Sequence, residues 1–144
     1  MSMRKRSSKL LFILAIFCLP FCGCNDGNGN FGDPLPYVFV QEQISISSLE
    51  AQPLTVRDGT FIYWKGGLSG LIVYRKRQGE YETFERMSPA IGNCTVLVDP
   101  TGFYMEDTCA KVRFNFDGTV SGGAVGLLRR YSTNFDGFRI IISN

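Results

Sequence analysis

The sequence predicts an all-β domain of stacked antiparallel sheets, and three observations carry that expectation. Turn signals recur along the chain at Asp58-Gly59, Gln78-Gly79, Asp117-Gly118 and Asp136-Gly137, among 16 glycines in all. Between them lie short apolar runs rich in aromatic residues, with 12 Phe and 6 Tyr in the chain. No segment keeps a sustained helical period.

Residues 1–23 read as a lipoprotein signal peptide. Arg4, Lys5, Arg6 and Lys9 form a positive n-region. The apolar run from Leu10 to Phe21 suits a signal-peptide core and is too short to span a bilayer. Gly23 is the small residue that lipoprotein processing needs directly before the acceptor, so Cys24 is expected to take the lipid and become the new N-terminus. The alternative is ordinary secretion, with Cys24 a free or paired thiol. Residues 24–36 are rich in Gly, Asn and Pro and read as a flexible tether. A tether behind a lipidated cysteine would hold a domain off the membrane, which places the protein in the cell envelope, lipid-anchored at the outer membrane.

The domain, residues 37–144, then divides into strands. Tyr37 to Val40 starts the strand pattern, and Ile44 and Ile46 alternate with Gln43, Ser45 and Ser47 as a half-buried strand should. Thr60 to Trp64 leads to Gly66-Gly67, and Leu68 to Tyr74 continues as an apolar strand ending in Arg75-Lys76-Arg77. Tyr81 to Phe84 returns after the Gln78-Gly79 turn. Cys94 to Val98 and Phe103 to Asp107 form a hairpin across the turn Asp99-Pro100-Thr101-Gly102. Val112, Phe114 and Phe116 alternate with polar residues, and Leu127, Leu128, Tyr131 and Phe135 precede the final strand from Phe138 to Ile142.

Loss of the leader removes four positive charges and no negative ones, so the formal net charge falls from +2 to −2 over the remaining 121 residues. That length supports one domain with a real core. The near-neutral balance offers no field for nucleic acid. The chain has no histidine, which excludes Ser-His-Asp and Cys-His catalysis, histidine-ligated zinc and histidine-held haem. No enzymatic activity is expected. Glu80, Glu82, Glu85, Glu106 and Asp107 read as solvated faces and turns, because no Asp-rich calcium spacing accompanies them. Arg75-Lys76-Arg77 reads as a soluble strand end that discourages edge pairing. Tyr63 and Trp64 read as core, with a glycan groove as the alternative.

Cys18 and Cys22 leave with the leader and Cys24 takes lipid, so Cys94 and Cys109 remain for the folded part. In an exported domain two cysteines most simply make one disulfide. Closing a loop of about 15 residues contributes roughly 3 kcal/mol in the chain-entropy model. A redox-active pair is the alternative, although there is no Cys-x-x-Cys and no histidine to lower a thiol pKa.

Cys109-Ala110-Lys111-Val112-Arg113-Phe114, then Asp117-Gly118, Gly122-Gly123-Ala124, and Leu128 ahead of Tyr131, carry a family pattern. Together with Cys94, the stretch from Tyr81 to Tyr131 resembles the Rieske iron–sulfur domain. In that family two loops, Cys-x-His-x-x-Cys and Cys-x-Cys-His-Gly-x-x-Phe, hold a [2Fe–2S] cluster through two cysteines and two histidines. The remaining two cysteines are disulfide-bonded in some members. The resemblance implies that Cys94 and Cys109 occupy the disulfide positions. It puts Pro89, Ile91, Asp107 and Ala110 at the four ligand positions, where none supplies the thiolate or imidazole of the family. Gly123 stands where the family has proline, and Lys111 where it has glycine.

The expectation is therefore a membrane-anchored lipoprotein of bacterial type, bearing a Rieske-like β domain without metal or other cofactor. Its role would be structural or interactive, with an envelope protein or a glycan as partner and the membrane reached through the N-terminal lipid. Two alternatives belong to other classes. One is a redox or electron-transfer protein using Cys94 and Cys109 or a [2Fe–2S] cluster, and the other is a glycan-binding module centred on Trp64.

Overall fold

The computed structural model describes residues 33–90, 93–121 and 127–144. The signal peptide, Cys24, most of the tether, Ile91 and Gly122-Gly123-Ala124 lie outside the described residues. The turn signals cut the described chain into β1 (Gln41–Ser45), α1 (Pro53–Val56), β2 (Phe61–Trp64), β3 (Leu71–Arg77), β4 (Glu80–Glu85), β5 (Val96–Val98), β6 (Met105–Asp107), β7 (Arg113–Phe114), β8 (Arg130–Phe135) and β9 (Arg139–Ser143). Six strands form one sheet in the order β1-β9-β8-β4-β3-β2, and β5-β6-β7 form a second. Every strand pairing is antiparallel. The fold class is thus all-β with antiparallel sheets, as the sequence predicts.

Alternation along β3 explains how two cores share one sheet. Successive residues of a strand face opposite ways. Leu71 and Val73 join a core with Ile44, Leu54, Ile62, Tyr131, Ile140 and Ile142. Ile72 turns to the other face and packs with Phe84, Val96, Met105, Phe114 and Leu128, beneath the small sheet. A strand buried on both sides reads as a continuous apolar run, which is what Leu71-Ile72-Val73 is. The edge strands β1 and β2 approach each other, since Trp64 Nε1 donates to Glu42 Oε2 at 3.3 Å. The large sheet therefore curls around the first core.

Several boundaries differ from the sequence reading. Among the described residues Tyr37–Val40 pairs with no strand; Asn144 takes its polar groups instead, accepting the Val40 N–H at 3.1 Å and donating to the Val38 carbonyl. β3 begins at Leu71 rather than Leu68, because the Leu68 and Ser69 N–H groups are drawn to the Glu85 carboxylate. A single helical turn at Pro53–Val56 has proline in its first turn and buries Leu54. Four residues are too few to leave a helical period in the sequence. The last residues assigned to the tether pack on the domain. Leu35 is buried, and Arg129 pairs with Asp33 while donating to the Pro36 carbonyl at 2.8 Å. No helix among the described residues is long and apolar enough to cross a membrane.

Candidate functional site: two loops joined by a disulfide

The chain between β4 and β5 and the loop between β6 and β7 meet at one end of the small sheet. The Ser88 N–H donates to the Cys94 carbonyl at 2.8 Å, and the Thr108 N–H to the Thr95 carbonyl at 3.1 Å. A bridge pairs Met87 with Thr95. Across this seam Cys94 and Cys109 form a disulfide with their Cα atoms 6.0 Å apart. Cys94 is buried and Cys109 is exposed.

Asp107 stands beside the disulfide and is wholly buried. Its Oδ1 accepts the N–H groups of Cys109 at 2.7 Å and Ala110 at 3.0 Å, and its Oδ2 accepts the Ser88 hydroxyl. Burial alone would raise its pKa. Hydrogen bonds from Ser88, Cys109 and Ala110 outweigh that and hold the carboxyl below its usual range. The backbone of Asp107 closes the same loop, donating to the Val112 carbonyl at 2.9 Å and accepting the Lys111 N–H at 3.1 Å. Lys111 takes φ +57, a left-handed conformation that favours glycine. It is the position at which the Rieske pattern carries glycine.

The sequence reading of Asp107 as solvated is therefore corrected: its carboxylate is the internal cap of the second loop. An Asp two residues before the amide it accepts is an Asx turn, and Asp107-Thr108-Cys109 was the available signal. Ser88 was not anticipated at all. Of the four positions that the resemblance puts at cluster ligands, Asp107 and Ala110 are in hydrogen-bond contact. Pro89 follows Ser88 in the facing loop and is half-buried, while Ile91 lies outside the described residues.

Glu85 is a second correction. Rather than facing solvent it is fully buried, where it accepts N–H groups from Leu68 at 2.8 Å, Ser69 at 3.0 Å and Met87 at 2.9 Å. The Tyr131 hydroxyl donates to it at 2.8 Å. Burial first, and then the Glu85 carboxylate, push the Tyr131 phenol well above its ordinary range. Arg75 is a third, for it is buried and donates to Asp58 at 2.9 Å and to the Leu54 carbonyl at 2.8 Å. Glu80 and Glu106 form exposed or half-exposed ion pairs, with Arg77 and with Arg113 and Lys111 respectively.

Tyr63 and Trp64 do not make a joint stacking platform. They are consecutive on β2 and so face opposite ways. Trp64 packs against the first core. The Tyr63 hydroxyl accepts the Val98 N–H at 3.0 Å, and Arg86 lies 4.4 Å over the Tyr63 ring.

The donors at the loop pair do not fit a Rieske cluster. Such a cluster needs two imidazoles on one iron and two thiolates on the other. The chain has no histidine, and the sulfurs of Cys94 and Cys109 are joined to each other. One carboxylate, Asp107, lies close enough to both sulfurs to make a three-donor group, with its ligand atoms within 4.8 Å of one another.

No protein-family model matches the chain, and no curated protein does. Among solved structures, the chain is similar to one assigned as an NADH-dependent nitrite reductase small subunit from Mycobacterium tuberculosis. The TM-score is 0.46 at 14% sequence identity, over 75% of this chain and 97% of that chain.

Proposed function

We propose that this chain is a membrane-anchored lipoprotein of the cell envelope, whose soluble part is a Rieske-like β domain that holds no [2Fe–2S] cluster. It serves as a non-enzymatic structural or interaction module. The observation that carries this reading is the cross-link between the two loops. Where the Rieske pattern would place iron, a disulfide and the Asp107 carboxylate join the same segments, with Ser88 on one side and Cys109 and Ala110 on the other. Left-handed Lys111 at the pattern's glycine position supports the same alignment. The lipid anchor rests on the leader and on Gly23-Cys24.

The full chain expressed in a diderm bacterium tests both halves. It is expected to partition into detergent with the membranes and to release a diacylglyceryl-modified peptide beginning at Cys24, whereas Cys24→Ala abolishes both the lipid modification and the cut ahead of residue 24. Purified protein is expected to lack visible absorbance and a reduced-state iron–sulfur EPR signal. A cluster spectrum, or soluble protein with an unmodified Cys24, would overturn the corresponding half.

A redox role for the pair is favoured by one observation, the exposure of Cys109. A potential below about −300 mV marks a structural disulfide that the glutathione pool cannot reduce, and one near −200 mV marks a cycling pair. A thiol–disulfide titration read by mass spectrometry separates the two.

A further inference from the structure

We propose that reduction of the Cys94–Cys109 disulfide converts the loop pair into a site for a single divalent ion of the zinc class, ligated by both sulfurs and by the Asp107 carboxylate. This goes beyond the absence of an iron–sulfur cluster, since it concerns the reduced chain and a mononuclear ion.

The ligand atoms of these three residues lie within 4.8 Å of one another. A tetrahedral zinc with Zn–S of about 2.3 Å and Zn–O of about 2.0 Å places its ligand atoms roughly 3.5–3.8 Å apart. The group is therefore of the right size once the sulfurs are no longer bonded to each other. Reduction by a dithiol delivers two electrons and two protons: the S–S bond breaks, two thiols form, and the donor becomes a disulfide. Binding of the ion then releases both thiol protons to solvent, because thiolate is the ligand.

The loops stay joined without the disulfide. The Thr108 N–H to the Thr95 carbonyl and the Ser88 hydroxyl to the Asp107 carboxylate both cross between the loops and remain. Asp107 is oriented in advance, as outer hydrogen bonds orient metal ligands. A carboxylate has about four lone-pair sites, and among the described residues Asp107 uses three of them on Cys109, Ala110 and Ser88. One stays open for the ion. Two thiolates select zinc over magnesium or calcium, and exposure of Cys109 lets solvent fill the fourth position. Three protein donors are too few for a two-iron cluster, so the reduced site and the cluster-free reading agree.

The test uses the full chain with Cys18→Ser, Cys22→Ser and Cys24→Ser, so that the pair supplies the only thiols. It is titrated with Co²⁺ in the presence of a phosphine reductant and, separately, in the oxidised state. Thiolate-to-cobalt charge-transfer absorption is expected at one ion per reduced chain, bleached by Zn²⁺, and absent from the oxidised chain. Asp107→Asn is expected to weaken Co²⁺ binding by about tenfold or more, at least the loss seen for outer-shell partners. Glu106→Gln, one residue away, is expected to leave it unchanged. Saturating Zn²⁺ is also expected to raise the melting temperature of the reduced chain, as any ligand of the native state does. A reduced chain without the band, without the thermal shift, or with equal affinity in Asp107→Asn overturns the proposal.

Discussion

Replacing Asp107 by alanine removes three hydrogen bonds to a buried carboxylate and leaves the Cys109 and Ala110 amides without that acceptor. A hydrogen bond to a charged group contributes about 1.5–3 kcal/mol, and the Cys109 and Ala110 amides are only partly screened from solvent, so Asp107→Ala is expected to destabilise the domain by about 3 kcal/mol. Asp107→Asn retains one oxygen for the two amides and is expected to lose less. Urea denaturation of both variants measures this, and equal midpoints for wild type and Asp107→Ala would refute the capping role. Lys111 makes a complementary prediction. A left-handed backbone costs a non-glycine residue about 1–2 kcal/mol, and a β-branched residue is a true outlier there. Lys111→Val is therefore expected to destabilise, while Lys111→Gly stays within about 1 kcal/mol of wild type because relief of strain offsets added chain entropy. If valine proves as stable as glycine, the loop does not need its left-handed turn. Burial of single charges was the least legible part of the sequence. Glu85 and Asp107 are chemically ordinary carboxylates, and what buries them is the set of amides left unpaired when Leu68-Ser69 and Cys109-Ala110 leave the strand ladder. Residue type does not reveal which amides those will be.

Strands and turns were far more legible, because period-two alternation and Gly-containing turns are local signals. The β8–β9 hairpin turns at Asp136-Gly137, and Asp136 accepts the Phe138 and Arg139 N–H groups there. Tyr37–Val40 shows the limit of such signals. Its alternation is real, with Val40 buried and Tyr37 and Phe39 exposed, but Asn144 supplies hydrogen bonds where a partner strand would. The start of β3 is set by a non-local event. The chain from Gly66 to Gly70 bends so that Leu68 and Ser69 reach Glu85, and Gly67 takes φ +67 against that carboxylate. A Cβ on Gly67 would overlap Glu85 Oε2 and press Leu71 Cδ2 at 3.1 Å. Gly67→Ala is therefore expected to cost about 2 kcal/mol or more, combining overpacking with left-handed strain. Hydrogen exchange should show the Leu68 and Ser69 amides losing protection first. Wild-type stability with unchanged protection of those amides would show that Glu85 has room to move.

For the molecule as a whole, the distribution of shifted acids sets how stability depends on pH. Asp107, Asp117 and Asp136 are all held below the usual carboxylate range. In Asp117 the chief cause is the Thr119 hydroxyl at 2.6 Å, and in Asp136 it is the Phe138 N–H at 2.9 Å. A carboxyl whose folded pKa lies below its unfolded value of about 3.9 contributes stability above that value, lost as pH falls through the folded one. Tyr131 is shifted upward by burial and by Glu85. Its contribution is complete below the unfolded phenol value of about 10 and is lost as pH rises beyond it. Between these limits the chain has no histidine to titrate. The melting temperature is therefore expected to be flat from about pH 5 to about pH 9 and to fall on both sides. Asp107→Asn should shrink the acid limb while leaving the alkaline one, and Tyr131→Phe should do the reverse. A step in stability near pH 6–7, or an acid limb untouched by Asp107→Asn, would mean that other groups govern the fold's response to protons.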